Sequence, residues 1–488
     1  MSVLTEDVLA QDQEWQAHIE DEKSAVRLGS AVGELLYGKS VELVLFRNHL
    51  VDRSTSEILK LHSYAKNVVE REISVQDSAE LAKTLTEIDI APAKIDIGRL
   101  ASEWKSESSN YSDKRSFLED KLSEFIGADN DNDMEPRDVV LFGFGRIGRL
   151  AARELIKQAG KGQQLRLKAI VVRNDSPEQI TKRAALFRMD SVHGEFDGSV
   201  EVDLEKKTMI VDGQKIQIIA APSPDQIDYT SYGINNALVV DNTGAYTSRE
   251  ALSIHLKAKG VSKVLLTAPG KEIPNIVYGV NNQDIDVENE TIYSAASCTT
   301  NAISTVLKVV EDNLGVEKGH IETVHAYTND QNLLDNMHKK PRRGRSAAIN
   351  MVITSTGAGN AVAKVIPALT GKLTANAVRV PTPNGSLAIL SLNVKKETSV
   401  EDVNNLVRHA ALHGNLVNQI HYSIEPELVS NDIIGNTCCS VFDSEATIAS
   451  ADGKNIVLYV WYDNEYGYTK QVIRLAKKIA KVQRRIYY

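Results

Sequence analysis

A cysteine within a run of small and hydroxylated residues is the feature of this chain with the clearest chemistry. The run Ser-Ala-Ala-Ser-Cys-Thr-Thr-Asn spans 294–301, and an apolar stretch follows it. This pattern predicts that Cys298 begins a helix, whose N-terminus favours the thiolate form. The segment 323–331 carries His325, a base suited to accept a proton from such a site. The pair predicts nucleophilic thiol catalysis, and the alternative for a lone cysteine is a small buried apolar side chain.

A glycine-rich segment predicts a dinucleotide site. Gly-Phe-Gly-Arg-Ile-Gly follows an apolar strand and precedes a helix, where glycines allow a tight turn and close approach to a pyrophosphate. The next strand ends at Asp175, whose carboxylate can accept hydrogen bonds from both hydroxyls of an adenosine ribose. The alternative is a glycine turn without a ligand. The predicted cofactor-binding residues here are Gly143, Gly145, Arg146, Ile147, Gly148 and Asp175.

Two patterns of secondary structure surround these residues. From residue 138, apolar strands alternate with helices, which predicts a parallel sheet. Residues 1–130 instead show helical spacing of apolar side chains and predict an all-helical extension. The acidic segment 131–137 contains Pro136 and predicts an exposed linker. The basic segment 465–488 predicts a closing helix.

Composition excludes several classes of protein. Three cysteines among 488 residues make no disulfide framework, and no Cys/His spacing suits zinc, so we expect no metal and a reducing, cytoplasmic location. The chain begins with no signal-peptide pattern and has no apolar run of membrane-spanning length. Residues 1–136 hold 28 acidic and 15 basic residues, a net charge of −13 against −9 for the whole chain. The acidic extension therefore disfavours specific nucleic-acid binding.

Several ordered motifs together resemble the phosphorylating glyceraldehyde-3-phosphate dehydrogenase family over residues 138–488. Beyond the cysteine and glycine segments, they are Asp-Ser-Val-His-Gly at 190–194, Ser-Thr-Gly at 355–357, Arg-Arg-Gly-Arg at 342–345, Arg-Val-Pro-Thr-Pro-Asn at 379–384 and Trp-Tyr-Asp-Asn-Glu-Tyr-Gly-Tyr at 461–468. The resemblance implies an α/β protein. A Rossmann-type NAD(P)-binding domain would span 138–297 and be completed by the helix 465–488, and an α+β catalytic domain with a mixed sheet would span 298–464.

The resemblance also implies an activity, the oxidation of glyceraldehyde 3-phosphate with inorganic phosphate to 1,3-bisphosphoglycerate. Cys298 would form a thiohemiacetal, and His325 would accept its proton while hydride passes to NAD, which leaves a thioester for phosphate to attack. Pairing of thiolate with imidazolium would lower the pKa of Cys298 and raise that of His325. By the same resemblance, Thr328 and Arg379 would bind the substrate phosphate. The attacking phosphate would be bound by Ser297, Thr299, Thr356 and Gly357, with Arg343 nearby. The nicotinamide would be positioned by Asn464 and Tyr468.

The chain departs from the family pattern at a few positions near the cofactor. Phe142 and Ala295 stand where the family usually has asparagine, and Ser176 and Asn336 replace the residues typical of strictly NAD-using members. Asp175 repels a 2′-phosphate and favours NAD. Hydroxyl and amide groups at Ser176 and Asn336 leave NADP open as a second cofactor.

The sequence leaves two alternative functions open. An erythrose-4-phosphate dehydrogenase would use the same covalent route, and a non-catalytic scaffold or nucleic-acid-binding relative would keep only the fold.

The resemblance implies a homotetramer in which the loop 332–345 lies near a neighbouring subunit's cofactor. The extension 1–130 carries no catalytic motif, and its apolar helix faces and negative charge lead us to expect a regulatory or assembly module that docks on the enzyme or another protein.

Overall fold

The computed structural model describes residues 2–127 and 134–488, with side chains described from residue 13 onward. These residues form two compact units. The N-terminal unit runs to Glu135 and also takes in 160–163 and 483–488, and the second unit comprises Pro136–Ala159 and Gln164–Val482. Residues 131–133 of the predicted linker 131–137 lie outside the described residues.

Five helices make up most of the N-terminal unit. Their apolar faces enclose a core that includes Leu28, Ile58 and Phe117, and capping side chains begin several of them, as where Ser54 and Glu57 form a capping box. The helices are α1 Ser2–Glu34, α2 Thr55–Asn67, α3 Val75–Glu87, α4 Ile97–Glu107 and α5 Lys114–Lys121.

The extension is helical over most of its length, as expected, but the prediction that it is all-helical is wrong. It contains the strands β1 Glu42–Leu45, β2 Asn48–His49 and β3 Ala93–Asp96, with β1 parallel to β3. Every residue of β1 is buried. The fully buried carboxylate of Asp96 accepts backbone hydrogen bonds from Phe46 at 2.8 Å and Gly98 at 3.0 Å, so it joins the turn after β1 to the start of α4.

The second unit begins with an eight-stranded sheet that positions the dinucleotide motif. Its central strands pair in parallel, and only the last two strand pairings, at one edge of the sheet, are antiparallel. The elements of this region are β4 Arg137–Phe142, α6 Arg146–Lys157, β5 Leu165–Val172, α7 Pro177–Arg188, β6 Met189–Asp190, β7 Gly194–Glu195, β8 Val200–Asp203, β9 Thr208–Val211, β10 Gln214–Ala220, β11 Ala237–Asp241, α8 Arg249–Ser253, β12 Val261–Leu266 and β13 Ile292–Ser294.

A second sheet of eight strands, mixed in direction, follows and carries the catalytic candidates. The elements are α9 Cys298–Asn313, β14 Val316–Ala326, β15 Val352–Thr354, α10 Ala358–Val365, β16 Leu373–Val380, β17 Ser386–Val394, α11 Val400–Leu412, β18 Ile420–Ser423, β19 Ser440–Asp443, β20 Ile448–Ala449, β21 Asn455–Tyr462 and α12 Tyr466–Ile479. The predicted α/β class, with a dinucleotide-binding sheet and a mixed-sheet catalytic region, is confirmed.

The end of the chain differs from the prediction of a helix over 465–488. Helix α12 ends at Ile479, and the last strand, β22 Arg485–Tyr487, pairs in parallel with β3 of the N-terminal unit. The ring of Tyr487 packs against the Phe125 ring at 6.3 Å between centroids, and its hydroxyl donates to Glu103 at 2.6 Å. The last residues therefore complete the sheet of the extension rather than the dinucleotide-binding region.

Candidate active site

The turn before Cys298 places its thiol at the first residue of α9. Ser297 caps this helix by accepting a hydrogen bond from the Thr300 amide at 3.0 Å. Ala296 adopts φ 56°, a left-handed conformation that is costly for a residue with a side chain. The Ser294 hydroxyl accepts a hydrogen bond from the Ala296 amide at 3.0 Å, and the Tyr468 hydroxyl donates one to the Ala296 carbonyl at 2.9 Å. The strained turn is thus held from both sides, as expected where a reactive residue must be positioned.

Strand pairing brings a base to this thiol. His325 lies near the end of β14, and its Nε2 is 3.7 Å from the Cys298 Sγ. The imidazole is 5% exposed. Its Nδ1 lies 2.7 Å from the Ala326 carbonyl oxygen, and Nε2 is the ring nitrogen that faces the sulfur.

Arg379 comes to the same imidazole from the neighbouring parallel strand. The register of β14 and β16 pairs His325 with Arg379, so both side chains leave the same face of the sheet. Arg379 Nη1 lies 2.8 Å from His325 Nδ1 and also donates to the Ala326 carbonyl at 2.8 Å. The buried Arg379 Nε has no hydrogen-bond partner among the described residues. A guanidinium with an unused donor beside a nucleophile is suited to an anionic substrate group.

The charges around the pair differ from those expected from the sequence. Burial raises the pKa of the Cys298 thiol, although the Arg379 guanidinium opposes that change. Burial, and next the positive charge of Arg379, lower the pKa of His325 to about 3. A neutral thiol beside a neutral imidazole is therefore favoured, and the predicted thiolate–imidazolium pair, with its lowered cysteine pKa and raised histidine pKa, is corrected.

Alkylation of Cys298 by iodoacetamide should accordingly accelerate with pH without a plateau near neutrality. Thiolate is the reacting species, so each pH unit below the raised thiol pKa should change the rate about tenfold. Peptide mass spectrometry between pH 6 and 9 separates Cys298 from Cys438 and Cys439. A rate that is level from pH 6 to 8 would instead demonstrate the ion pair.

Two of the predicted phosphate ligands share an acidic partner that the sequence did not single out. Asp330 accepts hydrogen bonds from the Thr328 hydroxyl and from Arg343 Nη1. Arg343 Nε also donates to the Thr354 hydroxyl at 3.1 Å. Asp330 lies within the segment 323–331 that carries His325, but nothing in the sequence marks it as the partner of the two ligands. Its carboxylate is therefore the acceptor that these two donors share.

The remaining predicted phosphate ligands lie at two helix starts. The Thr299 hydroxyl is 4.0 Å from Cys298 Sγ and 3.1 Å from the Tyr462 hydroxyl. Thr356 accepts from the Ala358 amide at 3.2 Å, and Gly357 is the N-cap of α10. Within the described residues, neither Thr356 nor Gly357 hydrogen-bonds to Cys298. A side chain added at Gly357 would meet nothing within 4 Å, so its backbone faces open space.

The predicted nicotinamide ligand Asn464 is oriented by a serine that sequence reasoning missed. Ser386 Oγ accepts from the Ala326 amide at 3.1 Å and donates to Asn464 Oδ1 at 2.8 Å. Ser386 is 1% exposed. With Oδ1 bonded to Ser386, the amide NH₂ of Asn464 is the group left for a carboxamide oxygen.

Replacing Ser386 with alanine should weaken NAD binding about tenfold, because Asn464 loses the bond that sets its amide orientation. NAD binding measured by fluorescence titration, together with KM and kcat, checks this. Ser391→Ala changes an exposed serine on the same strand and should leave all three values unaltered. If S386A bound NAD as wild type does, Ser386 would have no positioning role.

The glycine motif fits a dinucleotide. Gly143 has φ 93°, and a side chain there would approach Thr243 Cγ2 to 2.9 Å, while one at Gly148 would lie 2.4 Å from the Gly143 carbonyl oxygen. A cavity of ≈ 360 Å³ adjoins this turn, a size typical of ligand sites. Gly145 is the N-cap of α6, and Ile147 lies in its first turn. Backbone amides there are therefore available for a pyrophosphate.

Arg146, in contrast, uses its side chain within the protein. Its guanidinium makes two 3.1 Å hydrogen bonds to Asp190 and two hydrogen bonds to Glu465, the neighbour of Asn464, of which that from Nη2 is 2.6 Å long. His193 Nε2 lies 2.9 Å from the same Glu465. Glu465, and next Asp190, raise the pKa of Arg146 further. The backbone amides of His193 and Val192, and next Arg146, lower the pKa of Asp190 against the effect of burial. The predicted cofactor ligand Arg146 thus ties the glycine turn to the segment that carries Asn464.

We find neither a metal-binding cluster nor a membrane-spanning helix in the part of the chain that the structure describes. No group of three or more His, Cys, Asp or Glu side chains there is placed to hold a metal ion. No helix among the same residues combines the length and apolar character needed to cross a membrane.

Comparisons with known proteins give matches over most of the chain. Residues 137–249 match the family model for the glyceraldehyde 3-phosphate dehydrogenase NAD-binding domain, and 297–464 match its C-terminal domain. A glyceraldehyde-3-phosphate dehydrogenase-like protein of Pseudomonas aeruginosa is 48% identical and covers 92% of this chain and 98% of its own. Glyceraldehyde-3-phosphate dehydrogenases of Clostridium pasteurianum and Priestia megaterium are 40% and 43% identical, over 70% and 69% of this chain and 98% and 96% of their own.

Proposed function

Because the chain belongs to the glyceraldehyde-3-phosphate dehydrogenase family and carries its NAD-binding domain, we propose that it oxidises glyceraldehyde 3-phosphate in a phosphorylating reaction through Cys298. The observation that carries this proposal is the 3.7 Å approach of His325 Nε2 to Cys298 Sγ at the start of α9. Arg379, on the other side of the imidazole, supplies positive charge for a phosphorylated aldehyde.

Proton transfer follows from the neutral pair. As sulfur attacks the aldehyde carbon, His325 Nε2 takes the thiol proton and returns it to the carbonyl oxygen, so that a thiohemiacetal forms. The same nitrogen then accepts the hydroxyl proton while the carbon is oxidised to a thioester. NAD, when bound, accepts the hydride of that step. Attack of inorganic phosphate on the thioester releases 1,3-bisphosphoglycerate and the Cys298 sulfur.

Two groups of donors support two phosphate sites. Arg379 and Thr328 would bind the substrate's own phosphate, and Asp330 would give up its bonds to Thr328 and Arg343 when an anion enters. Ser297, Thr299, Thr356 and Gly357 would receive the attacking phosphate, with Arg343 between the two sites. An arginine fork and helix-start amides are the donors that phosphate prefers.

The deciding experiment follows NADH formation from glyceraldehyde 3-phosphate with and without inorganic phosphate. Phosphate-dependent turnover is expected, and erythrose 4-phosphate should be oxidised with a lower kcat/KM. Preference for erythrose 4-phosphate would replace the proposed substrate, whereas absence of turnover with either aldehyde would indicate a non-catalytic scaffold. Turnover that does not depend on phosphate would exclude the phosphorylating reaction.

Self-association is part of the proposal. The loop that follows His325 and the strand after it present large apolar side chains to solvent, between 56% and 93% exposed: Leu333, Leu334, Met337, Ile349, Met351 and Ile353. Such a patch on one chain indicates an interface. A homotetramer measured by light scattering would support this, and a monomer at micromolar concentration would contradict it.

The N-terminal unit is proposed to serve regulation or assembly. The Pseudomonas relative covers 92% of this chain, so it shares most of this unit, whereas the clostridial relative covers 70%. Since β22 pairs with β3, a deletion that tests the unit should remove residues 1–130 together with 483–488. We expect intrinsic turnover to remain while oligomer size or partner binding changes.

A further inference from the structure

Positive charge surrounds the residue that was expected to select NAD. Asp175 follows β5, the position at which dinucleotide-binding folds bind the adenosine ribose. Its carboxylate is bonded by Lys207 Nζ at 2.8 Å, and the two side chains are 23% and 49% exposed. A carboxylate neutralised in this way repels a 2′-phosphate much less than a free one would.

Two arginines line the cofactor cavity at the same end. Arg173 and Arg183 stand among its lining residues, with Phe142, Gly143 and Thr243 on the side of the glycine turn. Arg183 is half-buried and is anchored by a 3.0 Å hydrogen bond from Nη1 to the Gln179 carbonyl. Arg173 is exposed, so its guanidinium is free to follow a bound ligand.

The balance of charge at this end is therefore positive. Arg173, Arg183 and Lys207 carry three positive charges against two negative ones, those of Asp175 and of Glu178 in the first turn of α7. The N-terminus of the twelve-residue helix α7, capped by Ser176, adds a partial positive charge beside them. A phosphate monoester carries about −1.5 to −2 charges at pH 7, so this set of groups matches it.

We infer that the protein binds NADP as well as NAD, with the 2′-phosphate held by Arg173 and Arg183 while Lys207 neutralises Asp175. This inference rests on the cofactor-binding role of the cavity and not on the proposed aldehyde substrate. The sequence favours NAD through Asp175 and leaves NADP open, and the structure adds the lysine that pairs with this carboxylate. Lys207 lies 32 positions along the chain, and only the fold brings it to Asp175.

Calorimetric titration with AMP and with 2′,5′-ADP (adenosine 2′,5′-bisphosphate) tests the inference, because the two ligands differ only by the 2′-phosphate. The full-length protein should bind 2′,5′-ADP at least as tightly as AMP. Arg173→Ala and Lys207→Ala should each weaken 2′,5′-ADP binding about tenfold or more and change AMP binding by less than about threefold. Lys206→Ala removes the adjacent lysine, which pairs with Asp203 instead, and is the matched control.

A double variant separates the two roles. If Lys207 acts by neutralising Asp175, then Asp175→Asn in the Lys207→Ala background should recover most of the lost affinity for 2′,5′-ADP. Wild-type binding of 2′,5′-ADP more than about tenfold weaker than AMP would overturn the inference, as would equal losses for both ligands in R173A and K207A. If neither ligand bound, the nucleotide role of the cavity would be refuted. Aldehyde oxidation assayed with NAD would show separately whether the proposed reaction stands.

Discussion

Cys298→Ser is expected to reduce kcat for glyceraldehyde 3-phosphate oxidation by at least about 10³-fold, because the hydroxyl is a far weaker nucleophile and forms no thioester. The position allows no substitute thiol, since Cys298 alone approaches His325 within 4 Å among the described cysteines. Steady-state NADH formation measures the loss. The binding affinity for NAD should change little, since the side chain contributes to the reaction and not to the fold.

Cys438→Ser is the matched control for this variant. Cys438 is also a free cysteine, and burial raises the pKa of its thiol as well. C438S should retain wild-type kcat and remain sensitive to iodoacetamide, whereas C298S should be insensitive. Turnover of C298S above a tenth of the wild-type rate would exclude the covalent route.

His325→Gln is expected to lower kcat by about 10²- to 10⁴-fold, the usual contribution of a general base. Glutamine keeps a polar side chain of similar reach but accepts no proton. The pH profile gives a second test. Because the pKa of His325 lies at about 3, the imidazole is neutral and able to accept a proton at every pH above about 5.

The wild-type kcat/KM profile should therefore show no acid limb from His325 between pH 5 and 8, and activity should fall from this cause only as pH approaches 3. An acid limb near pH 6.5 that vanishes in H325Q would show that His325 keeps an ordinary pKa in the working enzyme. Arg379 would then be directed away from the imidazole, since its charge is one cause of the lowered pKa.

Local sequence determined the family, the fold class and the chemical types at the site. Glycine spacing predicts a turn because only glycine fits its backbone and its close contacts, as at Gly148. Ser297 before Cys298 predicts a helix start because a serine hydroxyl caps the free amides there. These signals are local, and for that reason they could be read without a structure.

Tertiary structure decided how those groups meet and what charge they carry. The pairing of β22 with β3 joins segments almost four hundred residues apart, and no local pattern encodes such a partner. The same holds for Arg379 beside His325, which depends on the register of β14 and β16, and for Lys207 on Asp175. Burial and neighbouring charges set protonation and ligand preference, and both arise only when distant segments pack together.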